Sequence, residues 1–213
     1  VVVSAMSGET NRQMELAKQV DSVPTARELD VLLSAGEQVS MALLAMTLNK
    51  LGYAARSLTG AQANIVTDNQ HNDATIKHID TSTIMDLLQQ DQIVIVAGFQ
   101  GVNENGDITT LGRGGSDTSA VTLAGALSAD ECQIFTDVDG IYSADPRIVP
   151  LSRKLHRLPN VVAKELGRLG NPVLHAKTLK PIEHHNAHLH VASSFVPETS
   201  GTEVGDFGQI AKQ

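Results

Sequence analysis

The residues with the most chemical potential form one run, Thr109-Thr110-Leu111-Gly112-Arg113-Gly114-Gly115-Ser116-Asp117-Thr118-Ser119-Ala120. It lies between a short apolar segment and an Ala- and Leu-rich one, the setting of a strand-to-helix turn. Glycines in such a turn let backbone N–H groups approach an anion, and a helix start adds partial positive charge. Arg113 within the glycines can hold a carboxylate or phosphate through two parallel hydrogen bonds, and Ser116 can cap the helix. The alternative is a capped glycine turn with a solvated arginine. Glycine or serine at 112, 114, 115 and 116, around one arginine, favours the anion site. The run fits neither the Walker A pattern nor the dinucleotide G-x-G-x-x-G.

A second run, Phe135-Thr136-Asp137-Val138-Asp139-Gly140-Ile141-Tyr142-Ser143-Ala144-Asp145-Pro146-Arg147, follows a strand candidate. In open α/β sheets, ligands bind at the carboxyl ends of strands. Asp139-Gly140 and Asp145-Pro146 form turns, so a polar hairpin with surface aspartates explains the run equally well. Small hydroxyl residues and glycine also gather at Ser4-Ala5-Met6-Ser7-Gly8-Glu9-Thr10-Asn11 and Ser34-Ala35-Gly36-Glu37-Gln38-Val39-Ser40. Glu37 is either a first-turn partner of a helix dipole or a ligand for an amine, and chemistry alone favours the first. The pair His184 and His188 has the spacing of a helical metal site. Asn186 and Ala187 break that face, so no metal ligands are assigned. Cys132, the single cysteine, has no paired base and reads as a small, partly buried residue.

Positioning these groups requires alternating strands and helices. Strands are expected at 1–4, 54–58, 64–67, 92–97, 108–111, 133–136 and 188–192. Helices are expected at 27–50 (with a break at Gly36), 81–90 capped by Asp80 or Thr81, 116–127, 162–169 and 175–186. Apolar strands alternating with helices imply an α/β domain around a mostly parallel sheet. After Phe195 the chain turns to Pro, Ser, Thr and Gly, which reads as a domain exit. Three valines at the start read as a buried strand, and a chain seldom begins inside one. A processed or trimmed chain is the expectation.

Composition narrows the function. The 213 residues are 41% hydrophobic and 19% charged, enough for one sizeable core. The net charge of −8 disfavours nucleic acid and anionic membrane as partners. Aromatics are only 3%, too few for a base-stacking platform. The longest apolar stretch, near 93–99, is too short to span a bilayer. One cysteine fits a reducing, cytoplasmic setting.

The segments VVVSAMSGETN, LLSAGEQVSMALLA, VAGFQG, ITTLGRGGSDTSAVTLAGAL and TDVDGIYSADPRIV occur in that order. Together they closely resemble the catalytic domain of the aspartokinases, within the amino-acid kinase superfamily. The hairpin TDVDGIYSADPR resembles several superfamily members, uridylate kinases included. LSAGEQVS with GRGGSDTSA resembles the aspartokinases in particular. The resemblance implies a three-layer α/β/α sandwich around a mostly parallel sheet, with a catalytic domain over 1–201 and a tail over 202–213.

The resemblance further implies ATP-dependent phosphorylation of the side-chain carboxylate of L-aspartate to 4-phospho-L-aspartate, toward lysine, threonine and methionine. It assigns Arg113 to the α-carboxylate and Glu37 to the α-ammonium of aspartate. Thr10 and Ser116 fall near the carboxylate being phosphorylated, and Asp117 organises positive groups around the transferred phosphoryl. Thr136, Asp137, Tyr142 and Arg147 bind the nucleotide, Ser4 approaches its phosphates, and Mg²⁺ rides on those phosphates. A homo-oligomer is compatible with this reading.

Two departures bear on activity. The family's opening strand and Lys-Phe-Gly-Gly-Thr-Ser loop have no counterpart ahead of Val1, and Pro172 stands where the family places a lysine. The family's C-terminal regulatory ACT domains are likewise not expected within these 213 residues. The expectation is weak nucleotide binding and low turnover for these 213 residues alone. The alternative function is a catalytically deficient, ligand-binding or subunit-type member.

Overall fold

A computed structural model describes residues 1–171, 188–196 and 198–207. Pro172, the helix expected at 175–186, and His184 and His185 lie outside the described residues. The chain divides into two compact units, Val1–Ala120 and Val121–Gln213.

In the first unit, β-branched sequence forms the central strand. Strand β5 (Ile93–Ala97) pairs in parallel with β1 (Val2–Val3) on one side and β2 (Ala55–Leu58) on the other. Val94, Ile95, Val96 and Ala97 are all buried, as a strand covered on both faces requires. Val94, Ile95 and Val96 each contribute roughly 1.5–3 kcal/mol on burial, so this short strand anchors the unit. Helix α2 (Ala26–Lys50) lies on the sheet, its Met41 and Ala45 meeting Ile95 and Ala97, with Val3, Leu44 and Leu48 around them.

The break expected at Gly36 is absent: α2 runs unbroken through it. Gly36 serves close packing instead. A Cβ there would lie 2.8 Å from the Ala5 Cβ, so the missing side chain admits the loop after β1. By length and mean hydropathy (1.5), α2 could cross a bilayer; here its Leu33, Met41 and Ala45 are buried within the unit.

A four-stranded sheet completes the unit, in the order β4 (Ile76–Ile79), β3 (Ile65–Thr67), β6 (Gln100–Val102), β7 (Ile108–Thr110). The hairpin from β6 to β7 closes on Asn103, whose Oδ1 accepts from the Asn105 and Asp107 N–H groups at 3.0 and 2.9 Å. Helix α1 (Glu9–Val20) was not expected: it is polar, and only Gln13 and Ala17 are buried. Helix α3 (Ser82–Leu88) is shorter than expected. Thr81 stands at its N-cap without a side-chain bond, while Asp80 Oδ1 accepts from the Ser82 N–H at 3.0 Å. Helix α4 (Gly115–Ala126) starts directly from the glycine loop, one residue before the expected cap at Ser116.

The second unit has a sheet ordered β11 (Arg157–Pro159), β13 (Thr202–Gly205), β12 (His188–Ser193), β8 (Glu131–Thr136). β8 and β12 pair in parallel over their whole length. Residues 202–205, read as part of a tail, form β13 between two other strands, with Thr202 and Val204 fully buried. The exit expected after Phe195 is therefore corrected for these residues. Strands β9 (Ile141–Tyr142) and β10 (Lys154–Leu155) form a small antiparallel pair, and helix α5 (Asn160–Arg168) follows β11. The α/β class holds: β5 is flanked by parallel partners in the first unit, and in the second the two outer pairs are parallel around an antiparallel β12–β13 pair.

Candidate active site

Strand and helix ends in the first unit converge on an open cleft of about 530 Å³. Ser4, Thr10, Glu37, Arg113, Ser116 and Asp117 all line it. These six come from the end of β1, the start of α1, the middle of α2 and the glycine loop leading into α4.

Glu37 is the most informative of them. It sits deep within α2, eleven positions past the helix start at Ala26, so the first-turn role is corrected. The error follows from Gly36, which reads as a break and is not one. Glu37 is 3% exposed; its Oε1 accepts from the Ala5 N–H at 3.0 Å, and its Oε2 is buried with no partner. Burial pushes the carboxyl up to about 7, partly opposed by the Ala5 N–H. A buried carboxylate oxygen without a donor, lining a cleft, is a site for a cation brought by a ligand.

The sign of the pH effect follows. Between the ordinary value of 4.5 and about 7 the folded protein holds a proton that the unfolded chain releases. Stability from this group is therefore fullest below about pH 4.5 and declines as pH rises through 7. A protonated amine needs the ionised form, so its affinity should rise about tenfold per unit as pH climbs toward 7, then level off. Calorimetry in buffers of different ionisation enthalpy should also show proton release on binding near pH 6.5, lost in Glu37→Gln. Affinity that stays flat from pH 5.5 to 8 would contradict the assignment.

The glycine loop is shaped by backbone conformation. Gly112 (φ 75°) and Gly114 (φ 72°) are left-handed on either side of Arg113, which is exposed. The junction from β5 to β6 packs against the start of α4. A Cβ on Gly98 would lie 3.0 Å from Ser116 Oγ, and one on Gly115 would lie 2.7 Å from Phe99 Cδ2. Phe99 is itself left-handed (φ 67°), held by its N–H to Ser119 Oγ at 3.1 Å and its carbonyl to the Leu111 N–H at 2.9 Å. Strain of this kind in a cleft-lining residue points to a shaped site.

Sequence reasoning missed Phe99 and Asn72 on the cleft wall, and the fully buried Asp30 behind it. Asp30 takes hydrogen bonds from Thr110, His71 and Asn72. The available signal was the stripe Asp30, Leu33, Ser34, Glu37 and Met41, which places two carboxylates on the buried face of one apolar helix.

The remaining expected residues belong to the second unit. Thr136 ends β8, and its hydroxyl donates to Asp137 Oδ1 at 3.1 Å. Tyr142 OH donates to Asp139 Oδ1 at 3.1 Å, and Lys154 Nζ reaches the Asp139 carbonyl and Oδ2 at 3.1 and 3.3 Å. Lys154 was not foreseen as part of this hairpin. Arg147 forms a forked pair with Asp145, its Nη2 lying 2.7 Å from Oδ2, and this holds the Asp145 carboxyl below its ordinary value. Thr202 on β13 pins the hairpin: its Oγ1 accepts from the Ile141 N–H at 2.8 Å and donates to the Leu155 carbonyl at 2.5 Å.

The sequence pattern of the Amino acid kinase family matches residues 1–193. An aspartate kinase of Pseudomonas putida is 53% identical over 195 residues, covering 92% of this chain and 47% of the relative. An aspartokinase of Geobacillus stearothermophilus is 52% identical over 198 residues, covering 93% and 49%. The chain spans about half the length of the curated relatives it matches. Among solved structures, E. coli aspartokinase III in complex with aspartate and ADP superposes with TM-score 0.80 at 31% identity, over 92% of this chain and 44% of that one. Aspartate kinase from Synechocystis gives TM-score 0.80 at 42% identity, over 96% and 34%.

Proposed function

The chain belongs to the amino acid kinase family, and on that premise we propose that it is the catalytic part of an aspartate kinase. The reaction transfers the γ-phosphoryl group of ATP to the side-chain carboxylate of L-aspartate. A carboxylate oxygen forms the new O–P bond, the bond from phosphorus to the bridging β-oxygen breaks, and ADP leaves with the electron pair. The nucleophile is already ionised near neutral pH, so no general base is needed, and catalysis rests on positioning and charge neutralisation.

The observation that carries this reading is the cleft itself. It combines a buried carboxylate oxygen lacking a donor with an arginine held in a glycine loop, as an amino acid's two backbone charges require. Glu37 takes the α-ammonium and Arg113 the α-carboxylate. Thr10 and Ser116 stand near the side-chain carboxylate, Ser4 meets phosphate, and Asp117 organises the charges around the transferred group. Thr136, Asp137, Tyr142 and Arg147 of the second unit take the nucleotide, with Arg147 exchanging Asp145 for phosphate. ATP would bring its Mg²⁺ on its own phosphates. Mg²⁺ there would neutralise charge on the β- and γ-oxygens. The product, a mixed anhydride, would enter lysine, threonine and methionine synthesis in the cytoplasm. A catalytically deficient member is not favoured, since the curated relatives are named as kinases.

The test is ADP release by the full-length protein with Mg-ATP and a panel of acceptors. L-Aspartate should support turnover, while L-glutamate, UMP and isopentenyl phosphate should not. Turnover with any of these three in preference to aspartate would overturn the reading.

A further inference from the structure

The reaction just described leaves one buried carboxylate unused. Asp30 has no exposed side-chain surface. Its Oδ1 accepts from the Thr110 hydroxyl at 2.5 Å and from Asn72 Nδ2 at 2.6 Å. Its Oδ2 lies 2.6 Å from His71 Nδ1, and the Asn72 N–H lies between the two oxygens at 3.1 and 3.2 Å. A carboxylate taken wholly out of water is tolerated only where donors fill its lone pairs, and these donors fill them.

The donors also bracket the arginine loop. Thr110 ends β7 and leads through Leu111 into Gly112 and Arg113. Asn72 and Asp73 form the wall against which Gly112 packs: a Cβ there would lie 2.8 Å from Asp73 Oδ1 and 3.1 Å from the Asn72 carbonyl. The Ala74 N–H donates to the Thr110 carbonyl at 2.9 Å, tying the same two segments. Asn72 is held left-handed (φ 64°), and its Nδ2 reaches the Ala26 carbonyl at 2.9 Å as well as Asp30.

Asp30 stands seven residues before Glu37, two turns along the buried stripe of α2. One rigid helix thus carries both the carboxylate facing a ligand's ammonium and the carboxylate anchoring the loop of Arg113. We propose that Asp30 is a positioning residue that fixes the separation between the ammonium subsite at Glu37 and the carboxylate subsite at Arg113. It thereby sets selectivity for α-amino acids. This rests on the aspartate reading above and adds to it a residue that touches no substrate.

The test uses the full-length protein with Asp30→Asn and, separately, Thr110→Val. The first keeps the side chain's size but turns an amide N–H₂ toward the converging donors. The second removes one donor at nearly constant volume and carries the test should Asp30→Asn fail to fold. Three ligands dissect the subsites: L-aspartate, β-alanine (lacking the α-carboxylate) and succinate (lacking the amine), the last two as competitors. The KM for L-aspartate should rise about 10- to 100-fold in Asp30→Asn, the scale of a small misplacement at a reacting centre, and less in Thr110→Val. The KM for ATP should hold within about twofold. The disadvantage of β-alanine relative to aspartate should shrink by the factor aspartate loses, while that of succinate should grow no larger, since Glu37 is untouched. Unchanged selectivity among the three ligands in the folded variants, or equal weakening of all three and ATP, would overturn the proposal and leave Asp30 a purely structural residue. A wild type that neither binds nor phosphorylates L-aspartate would overturn the aspartate reading, and this inference with it.

Discussion

Asp117→Ala should lower kcat with L-aspartate by about 10²- to 10³-fold while changing the KM for aspartate only a few-fold. Asp117 lines the cleft in the first turn of α4, four residues beyond Arg113. A carboxylate there does not deprotonate the acceptor, which is already ionised. Its proposed part is to hold positive groups where charge develops on the transferred phosphoryl, an interaction stronger in the transition state than in the ground state. Loss of such an interaction appears in turnover rather than in substrate affinity. Asp117→Asn should be nearly as impaired, because it keeps the shape and removes the charge. Steady-state kinetics on both variants in the full-length protein checks this. Retention of more than about a tenth of wild-type kcat in Asp117→Ala would remove Asp117 from the chemistry.

Arg113→Ala should weaken L-aspartate binding by about a hundredfold or more, on the scale of truncating one partner of a hydrogen-bonded charge pair. Arg113→Lys should recover part of that loss and not all of it. Lysine restores the charge but presents it as a point, without the planar fork that matches a carboxylate. The loop supplies the geometry for the fork: Gly112 and Gly114 adopt left-handed conformations that residues with side chains resist, and the Asp73 side chain and Asn72 carbonyl back Gly112. Calorimetry with L-aspartate separates the cases. Unchanged affinity in both variants would sink the assignment of Arg113 to the α-carboxylate.

The parts legible in the sequence are those whose local chemistry agrees with their tertiary setting. Residues 92–97 read as an apolar strand, and Ile93–Ala97 is one, with Val94 to Ala97 buried. The glycine loop opening α4 is legible because turn, arginine and helix start are contiguous. Glu37 was visible but misplaced, since Gly36 signals a break on propensity while packing against Ala5 demands a glycine inside a continuous helix. Strand β13 was illegible because Thr-Glu-Val-Gly has no apolar run of its own; pairing with β11 and β12 makes it a strand. The partners of Asp30 were illegible for another reason. A single aspartate in an apolar helix gives no hint of partners 41, 42 and 80 residues away, and only the fold brings them to it.

The central claim is that the cleft holds L-aspartate by its two backbone charges and so presents the side-chain carboxylate for phosphorylation. Its most direct measurement traps the product of the full-length protein with hydroxylamine and identifies the hydroxamate by mass spectrometry and chromatography against standards. An acyl phosphate on the side chain yields the β-hydroxamate of aspartate, formed in step with ADP, and the α-amine and α-carboxylate stay free. That product, lost in Arg113→Ala and Glu37→Gln at aspartate concentrations that saturate the wild type, is the predicted result. Formation of the α-hydroxamate, or ADP release with no hydroxamate at all, would contradict it.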